Sequence, residues 1–594
     1  MLYRNDIYQK IYKQFHPLRS FFLLIIIIIL PGTPFLRTPY PLFASTIHNA
    51  PKTGDISTNA AVVTYHNDPS RSGLNANESI LTTGNVNSSQ FGKRVTYPVD
   101  GQVYTQPLFL PHVRINKNIH NVVFVATEHD SVYAFDADQT VAIAPLWKTS
   151  FLSSRVTTVP AIDLFQQYSN KDISPEIGIT GTPVIDPTTD ILYVDTMTKE
   201  NGGQYAHQLH ALDIKTGSEK PGSPITIQAR ISGTGDGTSS GKVSFNAGIE
   251  NQRSALLLSR GVVYVSWASF SDTGPYHGWL IGYIYNGRAL HQVTTDVYNV
   301  TPNGQEGGIW MSGAGPAADT NGNIYFITGN GTFDLTTGGL DAGDSIIKLN
   351  TQKELSLADY FTPFNQACLS AADKDLGSGS PLLLPDQINT PHPHLMIGGG
   401  KEGRIYVINR DNMGHYINDP KLVCDTPEEN LTSIDKVLQE LPPYTIGRQF
   451  STPAYWTSPD GQWVYISGMN DNLKAFQLSN DTLAPDPTSE TPEIFQFPGV
   501  IPSISSNRNI SDTGIVWIIS PPSVCFYMGC NPYGPGILRA YDATNLGNEL
   551  YNSVQNSSRD GLDSYVKFSV PTIANGKVFV GTLTGLSIYG LLNH

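Results

Sequence analysis

The stretch "NVVFVATEHDSVYAFDAD" (121–138) consists of two alternating strands joined by a charged turn, and the chain carries eight versions of it. The others are "ILYVDTMTKE…HQLHALDIKTG" (191–217), "VVYVSWASF…GWLIGYIYNG" (262–287), "NIYFITGNGTF…DSIIKLNT" (323–351), "HLMIGGGKEGRIYVINRDN" (394–412), "WVYISGMNDNLKAFQLSN" (463–480), "IVWIISPP…GILRAYDATN" (515–545) and "KVFVGTLTGLSIYGL" (577–591). A unit this small cannot bury its apolar face alone, so the copies must stack or close into a ring. A small residue followed by proline leads into most copies, at Pro107, Pro183, Pro316, Pro381, Pro453 and Pro571. The third copy has "RSALLL" there instead, and the seventh has no lead-in that can be placed. Further strands such as "PLWKTSF" (145–151) lie between the pairs. Each unit can therefore supply an inner strand, two middle strands and an outer one, which make a propeller blade.

The expected fold is all-β, an eight-bladed β-propeller of four-stranded blades over 92–594. The chain stops at His594, too soon for a last outer strand, and "GKRVTYPV" (92–99) is predicted to fill that place and close the ring. Only 15% of residues are charged, while Gly 54, Pro 41 and Tyr 29 suit short strands and turns. One segment departs from the pattern. "TPEENLTSIDKVLQELPP" (426–443) has a possible capping box at Thr426 and Glu429, then Leu431, Ile434, Leu438 and Leu441 at helical spacing. It predicts one short helix inserted at about 426–441, covering the rim.

At the N-terminus Arg4, Lys10, Lys13 and Arg19 precede the apolar run "FFLLIIIIIL" (21–30), and Pro31-Gly32 breaks it. Residues 1–44 thus read as an export signal cleaved near Ala44, or as an uncleaved anchor through residues 21–36. Residues 45–91 read as an N-terminal extension. Either way the body of the chain is expected to be extracytoplasmic, with any membrane contact made through that N-terminal segment. Lys+Arg 37 against Asp+Glu 51 gives a net charge of −14, and no basic stripe is present, which argues against a nucleic-acid partner. Four cysteines, Cys368, Cys424, Cys525 and Cys530, can pair in an oxidising compartment, and Cys525 with Cys530 is the first pairing expected.

The repeats, especially "VVFVATEHDSVYAFDAD" and "GKVFVGTLTGLSIYGL", resemble the PQQ-like repeats of the quinoprotein alcohol dehydrogenase-like superfamily, and the resemblance covers residues 92 to about 592. It implies an eight-bladed propeller. In the dehydrogenases of that group it also implies pyrroloquinoline quinone over the central channel, a calcium ion bridging it to Glu, Asn and Asp side chains, and a tryptophan floor. The adjacent-cysteine disulfide common beside the quinone has no counterpart in this sequence, because no two cysteines are neighbours.

In such a propeller the lead-in segments and the loops between middle strands open on one face, a plausible place for a small-molecule or protein ligand. The candidates for holding a cofactor are Glu128, His129, Asp130, Arg253, Trp310, Lys401 and Arg448. Glu176 and Glu250 are the candidate catalytic bases, and with Asn251 they are the candidate oxygen ligands of a metal. Each has a structural alternative: a capped hairpin for Glu128-His129-Asp130, bridges to Arg253 and Arg448 for the two glutamates, and an aromatic wedge between blades for Trp310. "DTNGN" (319–323), "HPHL" (392–395) and "GTSSG" (237–241) read as turns and loops rather than a calcium loop, a zinc site or a nucleophile elbow. The functional expectation is a ligand- or partner-binding propeller. The alternatives are a quinone- and calcium-dependent alcohol or sugar dehydrogenase, and a scaffold for envelope assembly or adhesion.

Overall fold

In the first repeat the side chains of Val122–Thr127 and Ser131–Asp136 are buried on both faces, since a blade is covered by a neighbour on each side. The alternation sorts them. Val122, Phe124, Ala126, Val132 and Ala134 pack with Ile179, Ile185, Leu192 and Val194 of the second blade. Val123, Val125, Tyr133 and Phe135 pack with Tyr97, Phe579, Leu586 and Ile588 of the eighth. Each fully buried Val, Ile, Leu or Phe contributes about 1.5–3 kcal/mol, so every wedge between blades is a hydrophobic core of its own.

The structure is a computed structural model that describes residues 60–164, 173–521 and 534–592. Eight sheets of four principal strands succeed one another. Blade 1 has Leu108–Ile115 innermost, then Asn118–Thr127, Ser131–Asp136 and Trp147–Ser150. The inner strands of blades 2 to 6 are Val184–Asp186, Leu257–Ser259, Ala317–Ala318, Leu382–Leu383 and Ala454–Ser458. Blade 7, whose lead-in the sequence leaves unplaced, begins with Ser503–Ser505 directly after Pro502. In blade 8, Thr572–Ala574, Lys577–Gly581 and Gly585–Leu591 are completed by Phe91–Pro98 as the outer strand, antiparallel to Gly585–Leu591. The two ends of the ring are thus joined as the sequence predicts.

The segment just upstream, within the supposed extension, occupies the axis. Val62 pairs with Phe109 of blade 1, and Val63 O accepts from Ile185 N of blade 2. Pro69 O accepts from Ala318 N of blade 4, Ser70 O from Leu383 N of blade 5, Ser72 O from Tyr455 N of blade 6, and Gly73 O from Ile504 N of blade 7. The Arg71 side chain donates to Leu256 O of blade 3, and Asn75 Nδ2 donates to Ile573 O of blade 8. Residues 62–75 therefore sweep once round the channel and bond to all eight innermost strands or their first turns. Buried backbone groups must find partners, and the channel's own inner edges, otherwise unpaired, supply them.

The helix expected at 426–441 does not form. Glu428–Asn430 is one 3-10 turn, and Gln439–Leu441 is the outer strand of blade 5, paired with Ile405–Val407. From Leu431 to Val437 half-buried and exposed residues alternate, the period of an extended chain, and Ile434 is 38% exposed. Completing the blade's open edge outweighs the local helical spacing. A short helix does insert, but earlier, at Gln366–Ala371. Cys368 is disulfide-bonded to Cys424. Cys525 and Cys530, and the signal or anchor at 1–44, lie outside the described residues. Among the described residues no helix is long and apolar enough to cross a membrane.

Candidate functional site

A cavity of about 280 Å³ sits on the face where the lead-ins open, near the lower end of the range for small-molecule sites. All eight blades contribute lead-in residues to it: Tyr104, Ile173, Asn251 and Arg253, Gly308 and Trp310, Asp375, Phe450, Phe497, and Lys567 and Phe568. Asp272, Tyr276 and Lys401 reach it from loops between middle strands. Below it lies the axial segment, whose Tyr65 hydroxyl is 3.0 Å from that of Thr452, just beyond Phe450.

One wall is aromatic. Trp310, Phe450, Phe497 and Phe568 follow one another with ring centroids 6.2, 5.4 and 6.2 Å apart, the edge-on and tilted spacings that aromatic rings prefer. Cations flank it at both ends. The Arg253 guanidinium is 4.8 Å from the Phe568 ring centroid and 5.4 Å from that of Tyr104, Lys567 Nζ is 5.7 Å from Phe568, and Lys401 Nζ is 5.9 Å from Trp310. Lys401 is also paired with Asp375 at 2.5 Å and Asp373 at 2.8 Å. Its burial opposes charge, but these two carboxylates outweigh that and raise its pKa, so it is a fixed positive charge.

Asp375 Oδ1 accepts from Asn330 N at 2.9 Å. A Cβ on Gly329 would stand 2.5 Å from that same Oδ1 and 3.3 Å from Trp310 Nε1, so only glycine lets the carboxylate and the indole meet there. Asn251 Oδ1 is buried with no hydrogen-bond partner among the described residues.

Of the residues expected at the site, Asn251, Arg253, Trp310 and Lys401 line the cavity and the others do not. Glu128 is buried and ties blade 1 to the lead-in of blade 2, its Oε2 accepting from Gly178 N at 2.9 Å and Thr180 Oγ1 at 3.1 Å. Asp130 is buried beside it. His129 Nδ1 lies 2.9 Å from Glu176 Oε1, and Thr158 Oγ1 donates to Glu176 Oε2 at 2.7 Å. Glu250 Oε1 accepts from Trp279 Nε1 at 3.2 Å inside the wedge of blade 3, and burial pushes its carboxyl well above the usual range. Arg448 is exposed, its backbone bridged to Met469. Among the described residues no group of three His, Cys, Asp or Glu side chains could hold a metal ion.

Sequence reasoning missed Tyr104, Asp272, Tyr276, Asp375, Phe450, Phe497, Lys567 and Phe568. A signal was present for some of them. Tyr104, Phe450 and Phe568 each stand third before the lead-in proline, at Pro107, Pro453 and Pro571, and Arg253 holds the same place in the blade that lacks one.

No family model matches the chain, and no curated protein matches it. Among solved structures, quinohemoprotein alcohol dehydrogenase ADHIIG from Pseudomonas putida HK5 is similar at 13% identity and a TM-score of 0.51, over 90% of this chain and 80% of that one. Quinohemoprotein alcohol dehydrogenase from Comamonas testosteroni is similar at 12% identity and 0.54, over 90% and 81%. A europium-containing methanol dehydrogenase is similar at 12% identity and 0.54, over 90% and 99%. Blade number, closure and these likenesses define the class: an eight-bladed propeller. Within it, the fold is similar to that of these three dehydrogenases.

Proposed function

We propose that the channel-mouth cavity binds a planar, multiply anionic aromatic small molecule, that pyrroloquinoline quinone is the ligand of this class it fits, and that the chain is an oxidoreductase for an alcohol or sugar. The observation that carries this reading is the aromatic arc from Trp310 to Phe568 with Arg253 and Lys567 at one end and Lys401 at the other. Rings give a flat ligand its stacking surface, Arg253 and Lys567 select acidic groups at one end, and Lys401, oriented by Asp373 and Asp375, has a third ammonium N–H for a group at the other. Asn251 Oδ1, without a partner among the described residues, adds an acceptor for a ligand N–H or O–H.

When bound, an orthoquinone takes up two electrons and two protons from the substrate. For this chain's residues the reading assigns Trp310 to stacking and Arg253, Lys401 and Lys567 to the acidic groups. Asp272 and Asp375 are the carboxylates lining the cavity, and one of them is the group to accept the substrate hydroxyl proton, a role that Glu176 and Glu250 are too far engaged elsewhere to take. Calcium finds no matching set of acidic ligands among the described residues. An N-terminus that runs from basic to apolar, together with the Cys368–Cys424 bond, supports placing the body of the chain outside the cytoplasm.

Titrating the purified chain with pyrroloquinoline quinone should give a saturable rise in melting temperature, equivalent to about 2.7 kcal/mol at 100 times Kd, with dye reduction when an alcohol or sugar substrate is added. Trp310→Ala and Lys401→Ala should each weaken binding about 10-fold or more, as loss of a stacked ring or a charge-assisted hydrogen bond does. No shift at any quinone concentration would refute the quinone and turn the search to protein or glycan partners.

A further inference from the structure

We infer that the Cys368–Cys424 disulfide is a positioning element for the cavity, holding the turn that carries Asp373 and Asp375 against Lys401. The part of this inference that concerns affinity rests on the ligand reading above; the part that concerns the turn does not.

The helix Gln366–Ala371 is a turn and a half long, has no side-chain cap at its first residue, and is far below the length at which a helix stands alone in water. The turn hangs from its end. Ala372 N donates to the carbonyls of Cys368 and Leu369, and Lys374 N donates to Leu369 O at 2.9 Å. Asp373 follows with a left-handed backbone at φ 53°, and Asp375 comes next but one. From there the contacts run straight into the cavity wall: Asp375 O accepts from Lys401 N at 3.0 Å, Asp375 Oδ1 from Asn330 N, and both carboxylates hold Lys401 Nζ.

The start of the helix is pinned by Phe364 N on Asp435 Oδ1, Asn365 Nδ2 on Glu402 Oε1 and Gln366 Nε2 on Gly331 O. Its later half and the turn after it are held from outside by the connection between the third and fourth strands of blade 5, through the disulfide at Cys424 and the ion pair of Lys374 with Glu428. That connection has little burial of its own. Val423 is 57% exposed, Cys424 is exposed, and its regular structure is the single turn Glu428–Asn430. The ion pair joins two half-buried side chains that solvent still reaches, and is a weaker clip than a covalent bond. The covalent bond, which closes a sequence separation of 56 residues, is the one that survives fluctuation. Downstream, Leu376 N remains bonded to Asp344 Oδ1 at 3.0 Å, so the blade itself does not depend on the disulfide. Losing the bond should loosen the turn and spare the ring.

The test is Cys368→Ser/Cys424→Ser in the full chain, read by hydrogen exchange at the amides of Asn330 and Lys401, both of which donate to Asp375. Their exchange should quicken at least 10-fold while Val122–Thr127 of blade 1 is unchanged, and Kd for pyrroloquinoline quinone should rise about 10-fold. Unchanged exchange at those two amides overturns the positioning role. Faster exchange with an unchanged Kd overturns its bearing on affinity. Faster exchange in a chain whose wild type never binds the quinone upholds the brace and rejects the ligand reading instead. If the double variant does not fold, the oxidised protein is folded first and then treated with dithiothreitol, which closes to its cyclic disulfide as two electrons and two protons convert Cys368 and Cys424 to thiols. The same amides are then compared.

Discussion

Arg71→Ala should lower the unfolding free energy by several kcal/mol, on the order of 4, which is a large part of what holds a domain of ordinary stability together. Arg71 is fully buried in the axial segment. It donates to Pro316 O at 3.0 Å, Thr64 Oγ1 at 2.9 Å, Tyr65 O at 2.8 Å and Leu256 O at 3.2 Å. Burial pulls its pKa down to about 10, while Asp68 opposes that, and it remains charged at neutral pH. Alanine would leave four acceptors dry and Asp68 without its counter-charge. Each stranded group costs about 1–3 kcal/mol. Arg71→Lys should recover only part of the loss, because an ammonium cannot reproduce the planar fork. Denaturant unfolding followed by tryptophan fluorescence and circular dichroism measures the difference; a loss below about 1 kcal/mol would mean that the axial segment is a passenger in the channel.

The second large effect is on pH. Burial raises Glu128 from an ordinary 4.5 to about 7, against the opposing hydrogen bonds from Gly178 and Thr180. Burial, with Glu440 beside it, raises Asp435 from 3.8 to about 8. A carboxyl whose folded pKa lies above its unfolded one binds its proton more tightly in the folded protein. Its contribution is fully present below the unfolded pKa and is lost as pH rises through the folded one. For Glu128 that window runs from about 4.5 to 7 and amounts to roughly 3 kcal/mol. On the acid side Asp100, Asp136 and Asp213 have lowered values, because hydrogen bonds from Lys148, His120 and Lys220 and their neighbours outweigh burial, and their contribution is lost as pH falls. Stability should therefore peak in mildly acidic solution. Glu128→Gln keeps an oxygen for Gly178 N and Thr180 Oγ1 and removes the titration. It should be close to neutral at pH 5 and more stable than wild type at pH 8. Urea unfolding at the two pH values decides the matter, and an identical pH slope in variant and wild type would sink it.

The blades were readable because period-two alternation, turn residues and a recurring lead-in report contacts made within one unit or with its neighbour. The axial segment was not. "VVTYHNDPSRSGLN" (62–75) has no period, since its partners are eight separate strands met in succession. The same logic sorts the site. Along "ENQR" (250–253) the chain is extended, so Asn251 and Arg253 face the cavity while Glu250 turns to Trp279 and Gln252 is buried with its amide on Ser254 O. At Lys401-Glu402 the lysine faces the cavity and the glutamate turns inward to Arg404. Charge and loop position point to this face of the ring, but which of two adjacent polar residues faces the opening depends on strand phase, which turn sequences do not carry. The helix at 426–441 was misread for a related reason: its leucines fit a helical face, and only the unfilled edge of blade 5 asks for a strand there.

The axial segment also sets an order of events during synthesis. Residues 62–75 leave the ribosome before any blade exists, yet Asn75 waits for Ile573, a partner 498 positions later. At about 5–20 residues per second the ribosome needs roughly 25–100 s to supply that partner. Through that interval the nascent chain carries a polar strand whose bonds can be completed only one blade at a time, and the outer strand Phe91–Pro98 waits equally long for Gly585–Leu591. The ring therefore closes only after Gly585–Leu591 has been made, and the axial segment, made before every blade, is among the last parts to have all its bonds.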